Sequence, residues 1–79
     1  MAKSEAERVL ELRDWIASGH ARALRVNAGV SQQVAARTIG VDVVTLLRWE
    51  KGRNAPRGHN AREYHRLLTN LARCQAAAS

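Results

Sequence analysis

Apolar side chains recur at helical spacing along this chain, and no segment shows the strict alternation of apolar and polar residues typical of a half-buried strand. In the first such stretch, 5–18, Val9, Leu12 and Ile16 line one face. Gly19 then supplies a residue that stops a helix. The pattern predicts a helix over 5–18 and an all-α fold, a compact bundle of about five short helices.

Capping residues mark the starts of the predicted helices, beginning with the first. Ser4 and Glu7 form a capping box, in which each side chain satisfies a free backbone amide of the first turn. A second helix is predicted over 20–28, where small and apolar residues share one face. Ser31 is an N-cap for a third helix over 32–39.

The fourth helix is predicted over about 43–51. Asp42 is a strong N-cap for it, and the helical spacing turns Leu46 and Trp49 inward. Pro56 forbids a continuous helix through the loop that follows.

The last helix is predicted over about 61–74. Asn60 and Glu63 form a second capping pair at its start, and the tail from Gln75 onward is expected to fray. Its apolar stripe consists of Tyr64, Leu67, Leu68 and Leu71.

Length and charge limit the kind of protein this is. At 79 residues the chain is expected to form one small domain over 1–79, near the size at which dimerisation commonly adds stability. The net charge is +6. Residues 1–19 hold three basic and four acidic side chains, and the remainder holds ten basic and three acidic ones. The basic excess implies a polyanionic partner, with nucleic acid favoured over an anionic membrane.

Other chemistry finds little support in the sequence. No apolar run approaches the roughly 20 residues that span a bilayer, and the start of the chain lacks the apolar core of a signal peptide. Cys74 is the only cysteine, so a reducing cytoplasm is expected. The three histidines show no metal-ligand spacing with one another or with Cys74, so no metal and no cofactor is expected. No catalytic constellation is visible, and the protein is not expected to be an enzyme.

The segment 31–52 carries the most informative motif. Two short helical patterns flank Gly40, and the second ends in Trp-Glu-Lys-Gly, as in a helix-turn-helix. Residues 22–56 resemble the lambda-repressor-like, Cro-type helix-turn-helix family of phage and bacterial regulators. The resemblance rests on Arg25, Gly29, Ser31, Gln32, Ala36, Gly40, Leu46, Trp49, Glu50, Gly52 and Pro56.

The resemblance implies that the helix over about 43–51 reads bases in the major groove of double-stranded DNA. Where many relatives have polar residues, this chain has Val43 and Val44, which can only contact thymine methyl groups. Val43 has core packing as an equal alternative. Arg48 suits a bidentate contact with guanine, and a phosphate contact is its main competitor. The predicted base-reading residues are Val43, Val44, Thr45 and Arg48.

The resemblance also implies contacts with the DNA backbone. Gln32 is expected to donate to a phosphate at a helix N-terminus and to brace the start of the reading helix. Arg57 has entry into the minor groove as an alternative. The predicted backbone set is Gln32, Gln33, Lys51, Arg53, Asn54 and Arg57. Arg25 and Glu50 resemble the family's internal ion pair between two helices.

These features predict a sequence-specific transcriptional regulator, foremost a Cro-like repressor that acts by occupying its operator. An inverted repeat bound by a homodimer is expected, because one monomer makes few base contacts. Two alternatives stay open. One is an antitoxin that represses its own promoter and masks a toxin protein, and the other is an excision or architectural factor that bends DNA.

Overall fold

Five α-helices make up most of residues 3–78, the part of the chain that this computed structural model describes. No strand occurs within those residues, so the predicted all-α bundle is confirmed. The helices are α1 (Glu5–Ser18), α2 (His20–Asn27), α3 (Gln32–Ile39), α4 (Val43–Glu50) and α5 (Gly58–Ala78).

The predicted N-caps set the starts of α1, α3 and α4. The Ser4 hydroxyl accepts a hydrogen bond from the Glu7 N–H at 3.1 Å, and the Glu7 carboxylate accepts one from the Ser4 N–H at 3.2 Å. Ser31 caps α3 by accepting from the Val34 N–H at 3.1 Å. The helices α2 and α4 each end one residue earlier than predicted, since the residue that follows them is the C-cap.

The predicted bounds of the last helix were wrong at both ends. α5 begins at Gly58, so Asn60 and Glu63 lie inside the helix and not at its cap. The early start places Ala61 in the first turn, where it is 2% exposed and where its N–H bonds to the Arg57 carbonyl. The expected fraying from Gln75 is also wrong over 75–78, which belong to the helix, and Ser79 lies outside the described residues. The Gln75 amide donates to the Leu24 carbonyl at 3.1 Å and ties the last turns of α5 to α2.

One apolar core joins all five helices. Small residues of α3, Ala35 and Ala36, are buried and leave room for close packing. The predicted inward residues Leu46 and Trp49 of α4 are buried, as is Tyr64 of α5. The core consists of Leu12, Ala21, Leu24, Ala35, Ala36, Ile39, Leu46, Trp49, Ala61, Tyr64 and Leu68.

A polar and aromatic cluster fastens α1 to α5. The buried His65 lies with its Nε2 2.7 Å from the Glu11 carboxylate, and its ring stacks on Trp15 with 5.2 Å between centroids. The Lys3 ammonium donates to the same carboxylate. The hydrogen bonds from Lys3 and then from His65 lower the pKa of Glu11. The charged form of Glu11 is therefore favoured by folding.

This cluster predicts a loss of stability in acid. Because the pKa of Glu11 is lowered by folding, its contribution is present above the unfolded pKa and disappears as the pH falls through the folded pKa. Glu11→Gln is expected to lower the free energy of unfolding at neutral pH and to match the wild type in strong acid. Urea unfolding across a pH series measures both curves. Glu5→Gln is the control, because Glu5 makes only an exposed ion pair, and a constant offset between Glu11→Gln and wild type would contradict the prediction.

Candidate nucleic-acid interface

A tight turn joins α3 to α4. Gly40 ends α3 with a φ of 95°, a left-handed conformation that residues with a Cβ rarely adopt. The N–H groups of Gly40 and Val41 both bond to the Ala36 carbonyl, at 2.9 and 3.0 Å. Asp42 then caps α4 by accepting from the Thr45 N–H at 2.8 Å. The result is two eight-residue helices held at a fixed angle by a three-residue turn.

One face of α4 is open to solvent. At about 100° per residue, Val44, Arg48 and Lys51 lie within about 60° of one another, opposite the buried Leu46. Val44 is 50% exposed. Among the described residues, Arg48 and Lys51 make no ion pair. We call this the reading stripe, defined by Val44, Arg48 and Lys51.

The other two predicted base-reading residues lie beside the stripe. Val43 is half-buried and packs against the core, so the side-chain surface left for a partner is smaller than that of Val44. Thr45 is also half-buried. Val43, Val44 and Thr45 therefore lie in the first turn of α4 and Arg48 lies in its last turn, and the four predicted residues differ in exposure.

The N-terminus of α3 carries two of the predicted backbone contacts. The N–H groups of Gln32 and Gln33 lie in the first turn, which offers them no intrahelical acceptor. The Gln32 amide donates to the Glu50 carboxylate at 3.3 Å, so it braces the end of α4. The prediction that it braces the start of this helix was wrong. Gln33 is exposed.

The two helix N-termini differ in charge. The hydrogen bond from the Thr45 N–H holds the pKa of the Asp42 carboxyl below its ordinary value, so α4 starts with a negative charge at neutral pH. The cap of α3 is Ser31, which is neutral. An anion is therefore accommodated better at the start of α3 than at the start of α4.

The loop between α4 and α5 holds the remaining predicted contacts. Arg53, Asn54 and Arg57 are all exposed there. Arg13 of α1 lines the same shallow cleft as Arg53 and Asn54. The sequence did not predict a role for Arg13. It is one of several acidic and basic residues on α1, and no local sequence pattern shows that α1 packs beside this loop.

A buried ion pair holds α4 in place from behind. The Arg25 Nε donates to Glu50 Oε2 at 2.6 Å and its Nη2 donates to Oε1 at 3.1 Å, a bidentate contact. The side chains are 9% and 3% exposed. A further bond runs from the Arg25 Nη1 to the Val30 carbonyl at 3.0 Å. Through the Gln32 bond, Glu50 thus connects α4 to both α2 and α3.

Tyr64 of α5 packs against the same end of α4. Its ring stacks on Trp49 with 5.4 Å between centroids. Burial raises the pKa of Tyr64, and the nearby negative charge of Glu50 raises it further. The phenol is therefore neutral at physiological pH, and its buried hydroxyl has no hydrogen-bond partner within the part of the chain that the structure describes.

Two short helices, a glycine turn and a solvent-open second helix define a helix-turn-helix protein. A helix-turn-helix family model matches residues 22–69, which is more than half of the chain. The chain belongs to this lambda-repressor and Cro-like helix-turn-helix family and is a DNA-binding regulator. No curated protein and no solved structure matches it at a significant level.

The described residues contain neither a membrane-spanning helix nor a cluster of metal ligands. Over 3–78, no helix combines the length and the apolar character that crossing a bilayer requires. In the same range, no three His, Cys, Asp or Glu side chains are grouped so that they could hold a metal ion.

Proposed function

We propose that this protein is a sequence-specific transcriptional regulator that binds double-stranded DNA, and that it acts as a Cro-like repressor by occupying its operator. The reading stripe carries this proposal. It places an exposed arginine and an exposed valine on the second helix of a helix-turn-helix, with no carboxylate paired to the arginine among the described residues. In that position α4 enters the major groove.

Two side chains of the stripe supply base contacts. Arg48 is long enough to reach a base edge, and its planar fork matches O6 and N7 of guanine. Val44 offers an apolar surface to a thymine methyl group. Thr45 and Val43 contribute at the margin of the stripe, since both are half-buried. The operator is therefore expected to combine a guanine with a neighbouring thymine in each half-site.

Phosphate contacts are expected on both sides of α4. The start of α3, with Gln32 and Gln33, suits one phosphate because free amides and the helix dipole point at it. The exposed residues after α4 suit the next ones and add affinity without sequence information. This second group is Lys51, Arg53, Asn54 and Arg57.

The proposal includes a homodimer on an inverted repeat. One stripe contacts few bases, and two half-sites about 34 Å apart supply the missing specificity. The setting is the bacterial cytoplasm, where the operator DNA lies, and the role is binding without catalysis. Repression follows from exclusion of other proteins from the occupied site.

Binding-site selection from random duplex DNA at roughly physiological salt tests the proposal, because binding at low salt reports charge alone. The wild type is expected to enrich an inverted repeat. Arg48→Ala is expected to weaken binding to it by about 1–3 kcal/mol and to relax the preference at one base pair per half-site. Competition binding with single-base operator variants measures both effects.

Arg22→Ala is the matched control, since Arg22 is also an exposed arginine, lies on α2 and is outside the stripe. It removes the same charge and is expected to keep the base preference. Failure to enrich any site, with binding that vanishes as salt rises, would overturn the repressor role. A large bend at an attachment site would favour the architectural alternative, and a tightly bound partner protein would favour the antitoxin.

A further inference from the structure

A basic cleft lies between α1 and α5, apart from the helix-turn-helix. Its volume is about 430 Å³, and every residue that lines it belongs to one of these two helices. Among the described residues, no carboxylate lines it. Four of the lining residues are arginines, namely Arg8, Arg62, Arg66 and Arg73. We call this the arginine cleft.

The positive charge of the arginine cleft is only partly compensated. Arg62 pairs with Glu5 at 3.1 Å, but both side chains are more than half exposed. Arg66 lies 4.0 Å from Glu63, at the limit of an ion pair. Within residues 3–78, Arg8 and Arg73 have no carboxylate partner. Exposed pairs of this kind are weak, so they yield readily to a stronger anion.

Two neutral polar side chains also line the cleft. Thr69 lines it, although its hydroxyl oxygen is buried and has no hydrogen-bond partner among the described residues. The exposed side-chain amide of Asn70 lies in the same wall. Arginine forks and side-chain amide donors are groups that bind phosphate oxygens.

The arginine cleft and the reading stripe lie on opposite sides of α5. At about 100° per residue, Arg62, Arg66 and Arg73 lie within about 20° of the direction opposite Tyr64. Tyr64 faces α4, because it stacks on Trp49. A duplex held by α4 therefore leaves this row of arginines free.

The row is too long for one phosphate group. Arg73 lies eleven positions after Arg62, which is about 16 Å along the helix. A strand of B-DNA presents one phosphate per about 3.4 Å of axis, so this length faces several of them. We propose that the arginine cleft binds the phosphate backbone of a second segment of duplex DNA, while α4 holds the first. The proposal does not depend on which bases α4 reads.

Amide NMR of the labelled protein tests this proposal with three probes: a short duplex of unrelated sequence in excess, tripolyphosphate, and poly-glutamate. Once the α4 signals saturate with duplex, signals of Arg66, Asn70 and Arg73 are expected to shift in a second, weaker phase. Arg73→Glu is expected to weaken that phase on the order of tenfold or more, because one phosphate contact is replaced by a repulsion. The α4 phase is expected to remain.

The control is Arg22→Glu, which makes the same charge reversal at an exposed arginine outside the cleft and is expected to keep both phases. Arg73 is exposed and makes no ion pair among the described residues, so Arg73→Glu is expected to keep the fold. An unchanged amide spectrum of the free variant checks this.

Cleft signals that stay still in excess duplex would overturn the proposal. Cleft shifts with tripolyphosphate or poly-glutamate but not with duplex would also overturn it, in favour of a small phosphorylated ligand or an acidic protein. A cleft phase without an α4 phase would support phosphate binding by the cleft, but it would overturn the simultaneous binding of two duplexes and contradict the proposed function.

Discussion

Glu50→Ala is expected to lower the free energy of unfolding by about 3–5 kcal/mol, because it leaves the Arg25 guanidinium buried without its carboxylate. It also removes the acceptor of the Gln32 amide. Each kcal/mol lost corresponds to about 4–8 °C in Tm for a protein of this size. Urea and thermal unfolding measure the change, and DNA binding is expected to weaken with it because α4 loses its anchor to α2 and α3.

Glu5→Ala provides the matched control. It removes the same side chain from an ion pair that is more than half exposed on both sides, and it is expected to cost less than about 1 kcal/mol. Replacing both Arg25 and Glu50 with apolar residues of similar size is expected to restore much of the stability, because no stranded charge remains. Equal unfolding curves for Glu50→Ala and Glu5→Ala would contradict this account.

Trp49→Ala is expected to have a comparable effect through packing. Trp49 is 4% exposed and stacks on Tyr64, so its removal opens a cavity beneath the end of α4 and costs about 3–5 kcal/mol. The loss has two parts: the favourable free energy of transferring the ring out of water, and the cost of the cavity that the neighbouring side chains do not fill. Chemical unfolding measures the change in free energy, and an intact far-ultraviolet spectrum checks that the variant is folded.

Tyr64→Phe separates ring packing from the polar group at this contact. It keeps the ring that Trp49 stacks on and removes only a hydroxyl that is buried without a partner. Its stability is therefore expected to equal or exceed that of the wild type. A Trp49→Ala variant as stable as Tyr64→Phe would mean that the Trp49 ring is not part of the stabilising core.

Local sequence signals predicted four of the five helices almost to the residue. Caps such as Ser31 and Asp42 act on backbone groups three residues away, so their effect is visible without the fold. The ends of α5 depend on distant contacts. Its early start places Ala61 in the core. Its last turns are held by a hydrogen bond from the Gln75 amide to the Leu24 carbonyl, 51 positions away.

The same distinction applies to the candidate sites. The pairing of Arg25 with Glu50 followed from the family resemblance, and their side chains meet in the structure. Arg13 beside the loop after α4, the Glu11 and His65 contact and the arginine cleft were not predicted. All three depend on how α1 packs, and α1 lies outside the segment 22–69 that the family covers.

The length of α5 has a consequence for thermodynamic linkage. Its 21 residues span about 31 Å, close to the 32 Å longest dimension of the molecule. One side of this rod supports the end of α4 and the other carries three of the four cleft arginines. If occupancy of the cleft shifts α5, it changes the affinity of α4 for DNA, and DNA on α4 then changes the affinity of the cleft by the same factor. Each of two duplexes bound in this way would change the affinity of the protein for the other, and α5 would carry the coupling.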